Sequence, residues 1–260
     1  MTKPKVLVLC GYGINCDYET QFAFSSNGAD ADRVHVNDLI SKKNTFQQYQ
    51  ILAIPGGFAF GDDLGSGKVL AVKLSSHLQE NLLRFLERGN LIIGICNGFQ
   101  VLVKLGMLPG SGLSLKQTTT LTANESGKFE DRWVYLKSNV NSQNIFTSGI
   151  ERLYLPVRHG EGRFITQDEK TLQLLRSNNQ IALQYVDEDN NEGSYPYNPN
   201  GSVDNIAGIC DTTGRVFGLM PHPEAFLSEM NHPRWTRKPK TIVTAKKIFS
   251  NAVEYVKNNM

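Results

Sequence analysis

A cysteine stands between two glycines in GICNGFQ, residues 94–100, where the apolar run 91–95 gives way to a helical pattern. A strand entering a helix through so tight a turn holds its corner residue in a strained backbone conformation, commonly with φ > 0. Its neighbours two before and two after must then lack side chains. Gly94 and Gly98 meet that demand. The helix that starts beside Cys96 aims unsatisfied N–H groups and partial positive charge at the sulfur, which favours a thiolate. Strain of this kind costs about 1–3 kcal/mol, more than a space-filling cysteine explains. Cys96 therefore reads as a nucleophile.

A thiolate nucleophile needs a base and a group that orients it. MPHPE, residues 220–224, follows an apolar run and supplies both: Pro223 pushes His222 into an extended conformation, and residues two apart along extended chain share a face, so Glu224 can pair with the imidazole. Attack on a carbonyl also creates an oxyanion that needs donors. The N–H of Asn97 is one, and the PGGF turn at 55–58 offers another from Gly57 or Phe58, where glycine lets backbone approach a substrate. His35, His77 and His232 read as packing or surface residues.

The elements that must position these groups follow from periodicity. KVLVLC (5–10), DRVHV (32–36), QILAIPGG (50–57) and LIIGI (91–95) are strand patterns. Helical patterns run over 17–27, over 70–86 with leucine every fourth residue, and from 97 to about 105. Strands alternating with helices predict an α/β, three-layer architecture around a mostly parallel sheet covered on both faces, with sites at the carboxyl ends of its strands. From about 110 to 163 the patterns TTTLTAN, RWVYLKS and ERLYLPV predict a small antiparallel extension. Residues 187–202 read as a surface loop, 205–220 as a hairpin around DTTG, and 241–257 as an amphipathic closing helix. Nothing marks a linker, so 1–260 reads as one domain, with its insertion at about 110–163 and a basic segment plus helix at about 230–258.

Composition sets bounds. A chain of 260 residues with 40% hydrophobic and 20% charged residues is globular material, and a net charge of +2 does not argue for nucleic acid or an anionic membrane. Arg234, Arg237, Lys238, Lys240, Lys246 and Lys247 form a basic stretch, read as a solvated surface. The first apolar run is too short for a signal peptide or a membrane span, which predicts a cytoplasmic protein. Cys10, Cys16, Cys96 and Cys210 lack zinc-site spacing, and all but Cys96 read as small core hydrophobes. GDDLGSGK fails the phosphate-loop pattern at Asp62 and Val69, and GYGINC fails the dinucleotide pattern at Cys16. No cofactor or metal site is expected in this chain.

Gly94, Cys96, Gly98 and Gln100, with the PGG turn before them and HPE after them, resemble the class I glutamine amidotransferases. GYGINCDYET, PGGFAFGDDLGSGK, RHGEGRF and NPNGSVDNIAGICDTTGRVFGLMPHPE narrow the resemblance to the glutaminase subunits of phosphoribosylformylglycinamidine synthase, and NHPRW in the tail fits their longer form. The resemblance spans about 5–224. It implies that Cys96, His222 and Glu224 hydrolyse the glutamine amide through a thioester, with Gly56, Gly57, Phe58 and Gln100 bordering the glutamine. It also implies a large synthetase subunit, PurL, carrying ATP and magnesium, and a small bridging subunit, PurS. Arg158, His159, Glu161 and Arg163 are expected either at the site mouth or docking face, or as staples of their own loop. Two alternatives stay open at this point: another cysteine hydrolase of the same architecture, and a non-catalytic docking subunit.

Overall fold

The computed structural model describes residues 2–110, 115–237 and 244–260. The first part alternates: β1 (Lys5–Cys10), α1 (Asp17–Ser26), β2 (Asp30–His35), α2 (Val36–Ser41), β3 (Ile51–Ile54), α3 (Lys68–Glu87), β4 (Leu91–Ile95) and α4 (Asn97–Lys104). The second part is richer in strands: β5 (Thr119–Thr122), β6 (Glu130–Ser138), β7 (Arg152–His159), β8 (Arg163–Thr166), α5 (Glu169–Ser177), β9 (Ile181–Val186), β10 (Ile206–Cys210), β11 (Val216–Leu219) and α6 (Lys246–Asn259).

Among the described residues, one nine-stranded sheet runs β2-β1-β3-β4-β11-β10-β9-β6-β7, and β5 pairs with β8 in a separate two-stranded sheet. The strands from β2 to β11 are parallel, and those from β10 outward are antiparallel. The α/β architecture matches the expectation, with the antiparallel strands joined edge to edge onto the parallel half. The seam between the halves matters most. β11 arrives from late in the chain and pairs in parallel with β4, Leu219 opposite Ile95. That register carries the end of one strand to the end of the other, so MPHPE and GICNG meet.

Every residue of β3, β4 and β11 is buried, as central strands covered on both faces must be. α1 packs on α6 through Phe24 and Phe249, whose ring centroids lie 5.1 Å apart. In α3 the fourfold leucine spacing buries Leu70, Leu74, Leu78 and Leu82 beside Ala71 and Phe85. Each such leucine contributes about 1.5–3 kcal/mol of burial, enough to hold the helix against its neighbours.

Local structure departs from the sequence reading in three places. Val36 starts α2 instead of ending β2, because His35 Nδ1 accepts the Asn37 N–H at 3.2 Å and caps the helix. α5 and β9 were not anticipated, although Asp168 caps α5 by accepting the Thr171 N–H at 2.8 Å. His232, read as a packing or surface residue, is a packing one, buried between the rings of Trp133, Tyr154 and Phe226. Arg234 and Arg237 are exposed. Lys238, Lys240 and the expected helix start at 241 lie outside the described residues. No helix of the described residues is long and apolar enough to cross a membrane.

The tightest packing lies where α4 begins. A Cβ on Gly94 would stand 2.5 Å from Gly98 O, and a Cβ on Gly98 would run into the Ile54 carbonyl at the end of β3. Gly98→Ala is therefore expected to cost about 3 kcal/mol or more, the upper range for overpacking, because a backbone carbonyl cannot swing aside. Urea unfolding of the variant checks this; a loss under about 1 kcal/mol would show that the junction relaxes freely.

Candidate active site

Cys96 occupies the step from β4 to α4 with φ 51° and ψ −105°, a positive-φ conformation imposed on a residue with a side chain. Its N–H donates to Leu219 O at 2.8 Å, so β11 pins the strained residue from one side, and the Gln100 N–H donates to Cys96 O at 3.1 Å from the other. The side chain is 5% exposed and its thiol points at the Arg158 carbonyl, 3.7 Å away. As first residue of α4, Asn97 has no intrahelical acceptor for its N–H, which leaves that donor beside the sulfur.

His222 lies just beyond β11, and its N–H donates to Pro156 O of β7 at 2.9 Å. Its Nδ1–H donates to Glu224 Oε1 at 2.6 Å, with both residues 3% exposed. Glu224 sits in a single 3-10 turn, Pro223–Ala225, so the pair forms across that turn and not along extended chain as its spacing suggested. Burial pushes the imidazole toward its neutral form, but the Glu224 charge, with the thiols of Cys96 and Cys16, outweighs it and raises the His222 pKa well above the ordinary histidine value. A base held ready to carry a proton next to a thiol is what thiolate chemistry requires.

Gly56 is the space between them. A Cβ there would stand 2.8 Å from His222 Cε1 and 3.4 Å from Cys96 Cβ. Gly57 has φ 149° and packs so closely that a Cβ there would stand 2.5 Å from Gly13 O. Phe58, expected as an alternative oxyanion donor, gives its N–H to Gly13 O at 2.8 Å, so that donor is already engaged and Gly57 is the one left in this turn. The Phe58 ring is half exposed and stacks on Phe129.

Gln100, expected to border the glutamine, is held in place by its own neighbours. It is buried, donates through Nε2 to Glu161 O at 2.5 Å, and accepts from Asn97 Nδ2 at 3.0 Å. Asn97 Nδ2 also donates to Asp62 Oδ1 at 3.0 Å, and Glu161 Oε2 accepts the Ser66 N–H at 3.2 Å. Together these bonds fasten the 57–66 and 159–163 loops to the first turn of α4. Asp62, which the sequence marks only as a break in the phosphate-loop pattern, enters this network through a fold position that no spacing reveals.

The group 158–163 divides. Arg158 is exposed and borders a cleft of about 1370 Å³ together with Cys16, Tyr18, Phe22, Met230 and Trp235. His159 is not at a mouth or docking face: it is 3% exposed, its Nδ1 pairs with Asn124 Oδ1 at 3.1 Å, and Gly162 packs against its ring. Burial, reinforced by the charge of His222, lowers its pKa to about 3, so it stays neutral. Arg163 turns away to Gly201 O at 3.2 Å and toward Glu125. Glu161 and Arg163 thus staple loops, the other expectation for this stretch. Cys10 and Cys16 correct the reading of three core cysteines: both are partly exposed, and a Cβ on Gly56 would stand 3.4 Å from Cys16 Sγ.

Comparison with known proteins agrees with this geometry. The CobB/CobQ-like glutamine amidotransferase domain matches residues 3–256. Phosphoribosylformylglycinamidine synthase subunit PurQ of Dehalococcoides mccartyi is 48% identical over 259 residues, covering 99% of each chain. The Methanococcus maripaludis subunit of the same name is 46% identical over 267 aligned residues, covering 97% of each. A chain in the structure of PurLQS from Thermotoga maritima superposes with a TM-score of 0.72 at 31% identity, over 98% of this chain and 100% of that one. This chain belongs to the PurQ family of phosphoribosylformylglycinamidine synthase subunits, within the CobB/CobQ-like glutamine amidotransferases.

Proposed function

We propose that this chain hydrolyses glutamine to glutamate and ammonia, and hands the ammonia to a synthetase subunit that converts phosphoribosylformylglycinamide to phosphoribosylformylglycinamidine with ATP. The observation that carries the reading is Cys96, held at φ 51° with the buried His222–Glu224 pair across Gly56. Cys96 Sγ attacks the side-chain carbonyl carbon, and the oxyanion is met by the N–H groups of Asn97 and Gly57. His222 gives its proton to the departing nitrogen as the C–N bond breaks, which leaves a glutamyl thioester and ammonia. It then takes a proton from water, whose oxygen attacks the thioester and expels the thiolate. Glu224 holds the ring in the tautomer both steps need and stabilises its charged form.

The ammonia has to be used elsewhere. The similar Thermotoga maritima chain comes from a structure described as PurLQS. That assembly supports a large PurL-type partner carrying ATP and magnesium and a small PurS-type partner bridging the two. A single functional unit over 1–260 is supported by the one sheet that both parts of the chain build. A cytoplasmic location fits four cysteines that are all unpaired.

In the assembled complex, Cys96→Ala is expected to abolish glutamine-dependent product formation and to leave the ammonia-dependent reaction intact; loss of both, in a steady-state assay with each nitrogen source, would contradict the division of labour. Gly56→Ala is expected to fold, yet to lower glutamine turnover at least about a hundredfold by displacing the imidazole, with ammonia-dependent turnover again unchanged. Glu224→Gln removes the charge that opposes burial, so the His222 pKa should fall from above to below the ordinary value, visible by nitrogen NMR of the ring. Glutamine turnover should drop with it by about a hundred- to ten-thousandfold. A ring that still titrates high in this variant would show that Glu224 does not set its charge.

A further inference from the structure

Two main-chain carbonyls of β7 face the catalytic residues. Pro156 O takes the His222 N–H at 2.9 Å, and Arg158 O stands 3.7 Å from Cys96 Sγ. Carbonyls two residues apart along a strand turn the same way, so both leave the ladder with β6 and point toward the end of β4. A thiol is a weak donor, and at this distance it serves a main-chain carbonyl poorly. The proposed reaction removes even that partner, because the sulfur attacks without its proton.

The substrate carbon that Cys96 attacks carries two polar substituents. Its oxygen goes to the N–H groups of Asn97 and Gly57. What remains for Arg158 O is the NH2 group, which has hydrogens to donate. An ester places an oxygen there instead, which leaves Arg158 O unpaired and sets two acceptors against each other. The carbonyl has to be aimed, and Asn124 lies where it can do so. Asn124 is buried; its main-chain N–H donates to Gly160 O at 2.9 Å, and its Nδ2 donates to His159 O and to Lys128 O, each at 2.8 Å. Its Oδ1 accepts the Gly162 N–H at 2.9 Å and the His159 Nδ1–H at 3.1 Å. The turn directly after Arg158 is thus shaped on one amide. Ser202 holds the same segment farther on, where its Oγ accepts the Phe164 N–H at 2.9 Å.

We propose that the Arg158 main-chain carbonyl selects a carboxamide over an ester at Cys96, and that Asn124 is the residue that positions this carbonyl. The inference rests on the glutaminase reading and names the group by which that site tells its substrate from a near-isostere. A site built to hold an N–H rejects an analogue without one because its own polar group is then stranded. No covalent step is added: an amide N–H donates to Arg158 O in the bound state, and the contact lasts until the nitrogen has taken the His222 proton and left.

Calorimetry on the assembled complex carrying Cys96→Ala reads binding without turnover. Glutamine is expected to bind at least about tenfold more tightly than glutamate γ-methyl ester, which lacks only the donor. Adding Asn124→Ala should cut this preference to under about threefold, chiefly by weakening glutamine. Adding Ser202→Ala, which frees the segment at Phe164 but leaves the bonds of Asn124 to 159–162 in place, should keep it. Circular dichroism and thermal unfolding verify that each variant is folded. Asn124→Ser replaces Asn124→Ala if the latter does not fold, and the comparison of the two ligands needs no change at Asn124 at all. Equal binding of both ligands to the Cys96→Ala complex would overturn the role of the carbonyl. A preference that survives loss of the Asn124 amide, or that Ser202→Ala abolishes equally, would overturn the part given to Asn124. An unsubstituted complex that neither binds nor hydrolyses glutamine would instead overturn the proposed function.

Discussion

The close approach of α4 to the end of β3 is the constraint on which the rest depends. Gly98 lies so near the Ile54 carbonyl that no side chain fits, and Gly94 has the same relation to the Gly98 carbonyl. A helix that starts this close to its strand leaves one residue to turn the chain, and that residue is Cys96. Its positive φ costs about 1–3 kcal/mol. The cost is offset locally: the residue's own N–H and carbonyl are both satisfied, by β11 and by α4, so the strain is not compounded by unpaired backbone.

Around this step the protein keeps two buried imidazoles in opposite states. His159 and His222 are within electrostatic reach of each other, and each is almost wholly excluded from water. His159 faces an amide, Asn124, which offers no charge to compensate burial, and so remains neutral. His222 faces a carboxylate, which does. The neutrality of His159 matters for its neighbour, because a second cation there would oppose protonation of His222. One chemical difference between two partners, amide against carboxylate, thus separates a proton carrier from a structural ring.

The elements that carry the chemistry were legible because they obey local rules: the strand-to-helix glycines, the leucine stripe of α3, the two-residue step from His222 to Glu224. What escaped the sequence is what depends on distant contacts. β9 is an ordinary apolar run that becomes a central strand only because β10 and β6 pair with it. Cys16 reads as a small hydrophobe until β3 and β4 bring Gly56 beside it. Gln100 stands one turn after Cys96, and tertiary structure gives it Glu161 and Asn97 as partners and turns it inward, which its spacing does not reveal. His159 and Arg163 share a motif in the sequence and point to different neighbours, which no pattern of types can show.

That inward turn of Gln100 explains why the site loops need no regular structure of their own. The 57–66 segment includes Phe60, Gly61 and Asp62 at positive φ, a backbone that would not hold this shape alone. It holds because Asn97 grips it twice, donating to Asp62 Oδ1 and accepting the Ala59 N–H through Oδ1 at 3.3 Å. The same Asn97 side chain also donates to Gln100, which holds the 159–163 loop by its main chain, and Lys104 reaches Ser66 O at 2.6 Å. Bonds from one helix therefore reach both loops, and that helix is the one whose first turn positions Cys96. Coupling follows from this shared anchor: a force that shifts either loop has to pull on α4, and the rigid junction against β3 lets the helix yield only as a unit. The Gly57 donor and the Cys96 nucleophile are consequently held in one frame, although 39 positions separate them in the chain.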